Sequence, residues 1–353
     1  MGTVSSALWR STDISAADKI VNYVFSFPSI WPLGQIPKKA DALKKSEEMV
    51  ARINVSGFAR EMEQKPGWLT TNVEASRADG SKLRILLCYH KSHSAAGDSS
   101  GTPLPLVIWL HGGGYTMGTE QDSIGAQIWN SLSQQHGAHA VYASVSYRYA
   151  PEHPAPAAAD DCELAARFLL TNSELAQTHG YDCSRVHVWG QSAGAGLSLV
   201  LAASLCRAGD AGKVASVLSD APMCHPPCDT ESYTRNTNVA WLAPAAWLRW
   251  AWKAYLGVKT SEELNAALLD PKVCPHTAHG GLDGIKDVPV VITTCRGDVL
   301  HDEGVRAAEA WRSAGAAVKH VDLRASHCMG PIFDKPQWAL VRAKLAELLL
   351  SKE

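Results

Sequence analysis

From Leu104 onward the chain alternates between two hydrophobic patterns. Near-continuous apolar runs of strand length occur at Leu104–Leu110 (LPLVIWL), Ala140–Ser146, Val186–Trp189, Val214–Leu218 and Val288–Thr293, and a more polar run of similar length spans Ala317–Leu323. Between them, Ser123–His136, Ala157–Asn172, Ala193–Ala208 and Glu303–Ala314 read as helices. Strands that are apolar along their whole length belong in a sheet covered on both faces. Alternation of such strands with helices predicts a mostly parallel sheet with helices on both sides. Upstream, two β-like runs at Leu69–Ala75 and Lys82–Tyr89 flank the turn signal Asp79-Gly80. Asp18–Phe27 and Ala40–Arg60 carry apolar residues at three and four spacings and predict amphipathic helices, and Lys91–Pro103 reads as a loop.

Charge and composition narrow the function classes. The 353 residues hold 33 Lys+Arg against 35 Asp+Glu, without the basic excess that nucleic-acid binders usually carry. No apolar run is long enough to span a membrane, and the N-terminus shows no secretory signal. Met1-Gly2 with Ser6 fits a myristoylation pattern that no polybasic stretch supports, and Asn54-Val55-Ser56 is a glycosylation pattern idle in a protein that is not exported. Nine scattered cysteines without an export signal predict free thiols in the cytoplasm.

In a parallel sheet the chemistry sits at the carboxyl ends of the strands, and the distinctive residues lie there. Val186–Trp189 runs into Gly190-Gln191-Ser192-Ala193-Gly194 and then a helix of small residues. This is a nucleophile elbow, a turn so tight that the serine is strained and its neighbours must be small. His111-Gly112-Gly113-Gly114 follows Leu104–Leu110 directly. Consecutive glycines cost chain entropy and make sense where backbone N–H groups must point at an oxyanion. Gly113, Gly114 and Ala193 are the expected donors. A serine nucleophile needs a base, and the base an orienting acid. Asp298 follows the strand Val288–Thr293, and His327 follows Ala317–Leu323. Asp302 and Glu303 read as acids opening the next helix. Cys224, His225 and Cys228, or Cys274, His276 and His279, match no familiar zinc spacing. Cys328 reads as packing.

With these motifs the chain resembles the hormone-sensitive-lipase-like family of α/β-hydrolases. The resemblance extends to Ser146–Ala158 (SYRYAPEHPAPAA), to Asp298–Gly304 (DVLHDEG), to Asp270-Pro271 and to Tyr233–Gly257, and covers roughly residues 100 to 345. Gln191, His301 and Cys328-Met329 depart from the family pattern. The resemblance implies an α/β-hydrolase fold: an eight-stranded, mostly parallel sheet with helices on both faces and a helical cap. The expected division is 1–65 (N-terminal part of the cap), 66–223 (first part of the catalytic core), 224–262 (cap insertion) and 263–353 (second part of the core).

The expected activity is hydrolysis of small or aromatic carboxylic esters through an acyl-serine, with Ser192, Asp298 and His327 catalytic and no metal or organic cofactor. Tyr115, Gln191, Trp247 and Trp250 are the expected substrate-binding residues. Cleavage of amides or lactones, acyl transfer, cyclisation and a ligand-binding receptor stay open as alternatives, the last opposed by the intact catalytic set. The expected partner is a small-molecule ester, with no nucleic acid and no membrane span. A homodimer is left open.

Overall fold

The computed structural model describes residues 68–90, 101–121, 123–237 and 243–351. The two predicted N-terminal helices, the 1–65 part of the cap, most of the Lys91–Pro103 loop and Trp241 lie outside these residues.

Eight strands form one sheet: β1 (Trp68–Ser76), β2 (Lys82–His90), β3 (Leu104–Leu110), β4 (Val141–Val145), β5 (Tyr181–Gln191), β6 (Val214–Asp220), β7 (Pro289–Cys295) and β8 (Ala317–Leu323). Their spatial order is β1-β2-β4-β3-β5-β6-β7-β8. Strand β2 runs antiparallel to both neighbours, and every pairing from β4 to β8 is parallel. All eight predicted strands are present, with ends shifted by a few residues.

Side chains alternate along each strand, and β3 shows the consequence. Leu106, Ile108 and Leu110 enter one core, and Val107 and Trp109 the other. The first core is closed by α2 (Ala157–Thr171), α4 (Ala193–Leu205) and α8 (His301–Ser313). The second is closed by α1 (Ser123–His136) and α10 (Lys335–Leu350). Helix α4 is buried on almost every side, which explains its small-residue sequence AGAGLSLVLAASL. Helix α3 (Ser173–His179) and helix α10 were not anticipated; α10 carries Trp338, Val341 and Leu345 into the second core.

Between β6 and β7 the chain forms α5 (Ser232–Arg235), α6 (Ala245–Leu256) and α7 (Ser261–Ala266). Helix α6 starts after Pro244 and ends at Gly257, whose left-handed φ of 68° a side chain would resist. It buries Trp247, Leu248, Ala251, Trp252 and Tyr255 against the first core. The short helix α9 (Gly330–Phe333) follows β8 and leads into α10.

Candidate active site

The end of β5 meets α4 at Ser192, whose φ is +56°. A non-glycine residue held in so sparsely populated a conformation costs about 1–3 kcal/mol, so the surroundings must hold it. The Ser192 amide donates to the Asp220 carbonyl (2.8 Å), and the Ser192 carbonyl accepts from the amides of Gly196 (3.1 Å) and Met223 (3.0 Å). The flanking glycines are sterically required. A Cβ on Gly190 would stand 2.2 Å from the Gly194 carbonyl oxygen, and one on Gly194 would stand 2.0 Å from that of Leu110.

His327 Nε2 lies 2.9 Å from Ser192 Oγ, and His327 Nδ1 lies 2.6 Å from Asp298 Oδ2. A carboxylate only accepts, so Nδ1 carries the proton and Nε2 is left to accept from the serine hydroxyl. All three side chains are buried. The Asp298 loop is fixed independently: its Oδ1 accepts from the Leu300 amide (3.0 Å), and Asn236 Nδ2 donates to its carbonyl (2.6 Å). Burial alone would lower the His327 pKa, but the charge and hydrogen bond of Asp298 outweigh it and raise the value above the ordinary one. Asp302 opens helix α8 as expected, accepting from the Ser232 amide (2.7 Å) and pairing with Arg235 (2.7 Å).

The His111–Gly114 loop lies against the elbow, where a Cβ on Gly112 would stand 3.3 Å from that of Ser192. Gly113 and Gly114 have φ of +119° and +59°, and the Gly113 carbonyl accepts from the amides of Thr116 and Met117 in a tight turn. The segment after β4 buttresses this loop. Tyr147 stacks on the His111 ring (4.3 Å between centroids) and donates to its carbonyl (2.7 Å), while Tyr149 donates to the Gly118 carbonyl (3.0 Å). The Arg148 amide and guanidinium bind Asp161, which fixes the segment to α2.

The four expected substrate-binding residues separate. Trp247 lies directly over the loop: a Cβ on Gly114 would come 2.5 Å from its ring. Trp250 is half-buried and packs on the first core. Tyr115 is buried, stacked on Tyr255 (4.0 Å), with its hydroxyl donating to the Met223 carbonyl (2.6 Å). Gln191 is buried beneath the elbow and donates to Asp220 Oδ2 (2.9 Å), whose other oxygen accepts from Thr293. Tyr115 and Gln191 thus tie loops together. Cys328 is buried in the second core, as expected, and it also neighbours the relay. It has a φ of +58°, and its Sγ stands 3.3 Å from His327 Nε2, beside the base. Tyr115, Ser192, Ala221 and Cys328 are four of the six described non-glycine residues with positive φ, so strain concentrates around this site.

Sequence reading missed His111 and Asp220 as supports. The signal for Asp220 was present, since an acid ending the apolar run VASVLSD must find buried partners.

A family model described as alpha/beta hydrolase fold matches residues 107–328. The chain belongs to this family. Among curated relatives, this α/β-hydrolase is 31% identical over 213 residues to an ethyl acetate hydrolase of Pseudomonas putida, a match covering 60% of this chain and 62% of that one. It is 33% identical over 222 residues to the carboxylesterase NlhH of Mycobacterium tuberculosis, covering 61% and 63%. The chain therefore spans just under two thirds of the length of these relatives. Among solved structures, an esterase from the archaeon Pyrobaculum calidifontis superposes with a TM-score of 0.72 at 21% identity, covering 96% of this chain and 99% of that one. A thermostable esterase from Pseudomonas putida superposes at 0.73 and 20% identity, covering 96% of each. Among the described residues no helix is long and apolar enough to cross a membrane.

Proposed function

We propose that this α/β-hydrolase cleaves carboxylic esters through an acyl-serine. The observation that carries the reading is the continuous relay from Ser192 Oγ through His327 to Asp298, at 2.9 and 2.6 Å, built from the ends of three different strands. Ser192 Oγ attacks the carbonyl carbon while its proton passes to His327 Nε2. The amides of Gly113, Gly114 and Ala193 take the oxyanion. The imidazolium, held by Asp298, then gives its proton to the leaving alkoxide, and water releases the acid by the same route. These residues supply nucleophile, base and acid, so the reading uses no metal or organic cofactor. The ester-cleaving activities named for the relatives support it.

Helix α6 serves as the inserted part of a cap. With Trp247 over Gly114, space beside the oxyanion loop is limited, which favours small or aromatic esters over long acyl chains. Nine cysteines, none in a disulfide, fit a cytoplasmic protein.

The test is fluorophosphonate labelling together with p-nitrophenyl butyrate hydrolysis. Wild type should label and turn over, and Ser192→Ala should do neither. The reading is wrong if Ser192→Ala keeps more than about a hundredth of the wild-type kcat.

A further inference from the structure

Glu303 is a carboxyl that the relay does not use. It lies in the first turn of α8, five residues after Asp298, and is 1% exposed. Its Oε1 accepts from the Cys224 amide at 3.0 Å, and the Cys224 thiol reaches back to the Glu303 carbonyl at 3.8 Å. Its Oε2 has no partner among the described residues. Burial pushes the Glu303 carboxyl well above the usual carboxylate range, against the amides of Cys224 and His225, which pull it down. A position needed only for packing would be filled at less cost by an apolar side chain, because a buried carboxyl with an unpaired oxygen is unfavourable. What the acid supplies is an acceptor for this stretch of backbone, above all for the Cys224 amide.

That amide belongs to the segment under the nucleophile. Its neighbour Met223 donates its amide to the Ser192 carbonyl (3.0 Å) and accepts the Tyr115 hydroxyl (2.6 Å). The Met223 carbonyl is also pressed against α4, where a Cβ on Gly196 would stand 2.3 Å from it. At the other end of the segment the Ala221 amide donates to the Thr293 carbonyl (3.1 Å). Residues 221–224 are therefore pinned to β7 at one end and to α8 at the other, with the elbow and the oxyanion loop both hanging on Met223.

We propose that Glu303 is a positioning residue for the acyl-transfer step: by holding Cys224 it fixes Met223, and through Met223 it fixes the register of Ser192 against His327 and of Tyr115 beneath the oxyanion loop. The proposal rests on the esterase reading above. It couples the helix that follows the acid to the loop that carries the nucleophile, so the serine and its relay stay aligned as one unit.

Two variants of the full chain decide it. Glu303→Met fills a similar volume without an acceptor, and Glu303→Gln restores one. With p-nitrophenyl butyrate, Glu303→Met should lose about tenfold or more in kcat, because small misplacements of reacting groups are costly. Its KM should stay within about twofold, since ground-state binding is untouched. Fluorophosphonate labelling should slow in parallel. Glu303→Gln should recover kcat to within about threefold of wild type, as an equivalent acceptor should. Assays run well below each variant's melting temperature, read by circular dichroism. The proposal is overturned if Glu303→Met keeps its kcat, if the loss falls in KM instead, or if Glu303→Gln is as damaging as Glu303→Met. Should Glu303→Met not fold, Tyr115→Phe decides. It cuts the other tie to Met223 while keeping the ring, and an unchanged kcat there overturns the proposal. Activity surviving in Ser192→Ala would instead remove the esterase reading, so the two failures are distinguishable.

Discussion

Gly194 offers the sharpest test of how the elbow is built. Replacing it by alanine adds one carbon, and that carbon would stand 2.0 Å from the Leu110 carbonyl oxygen and 2.4 Å from that of His111. Both obstacles are backbone. Leu110 ends β3, which is paired on both sides by β4 and β5 and has little room to yield. The start of α4 must therefore move by more than about 1 Å to restore an ordinary contact. That shift carries Ser192 and the Ala193 amide away from the oxyanion loop, and a misplacement of about 1 Å can cost about a hundredfold in rate. Overpacking should also destabilise the fold by about 1–3 kcal/mol, visible as a fall of several degrees in Tm. Gly212→Ala is the control, because its Cβ would meet nothing within 4 Å. The measurements are kcat on p-nitrophenyl butyrate and a thermal scan. If Gly194→Ala stays within about threefold of wild type in kcat and matches Gly212→Ala in Tm, the steric account of the elbow is wrong.

Three further outcomes are expected. Asp298→Asn should lower kcat by about a thousandfold or more, by favouring the wrong imidazole tautomer; Asp302→Asn should lower Tm more than kcat, and the reverse ranking would move the acid assignment to Asp302. On the proposed mechanism His327 acts as base only when neutral, and its pKa is raised above the ordinary value, so kcat/KM should climb with pH along one ionisation centred above about 6.5; a profile flat from about pH 5 to 9 would exclude a histidine base. Trp252 is fully buried beside Tyr115 (5.1 Å), so Trp252→Ala should cost about 3–5 kcal/mol in stability, whereas Trp247→Ala should instead shift preference toward longer acyl chains; equal preference in both variants would remove Trp247 from the substrate wall.

The sheet was legible because its central strands are apolar along their length, and strand ends then pointed to Ser192, Asp298 and His327. Helix α10 escaped because its apolar residues spread around its circumference and give no sharp face in the sequence. The structural partners of Tyr115 and Gln191 escaped for a different reason. Both flank motif residues, but whether a flanking side chain faces the substrate or the interior depends on partners distant in sequence. For Tyr115 these are Met223 and Tyr255, and for Gln191 it is Asp220. The thiol of Cys328 beside the base follows from a left-handed backbone at that residue, which no pattern in the sequence reports.

Of the nine cysteines, none in a disulfide, eight are buried and Cys183 is partly exposed. The native protein therefore keeps most of its thiols away from solvent by packing alone, without a crosslink to hold them. A chromogenic thiol reagent then becomes a gauge of breathing motions. The rate at which each buried sulfur reacts measures how often its part of the fold opens. Cys88 and Cys295 report on the core beneath one sheet face, and Cys162 and Cys206 on the other. Cys328 reports on the crevice that holds Ser192 and His327, so the fold carries probes that separate local opening of the crevice from wholesale unfolding.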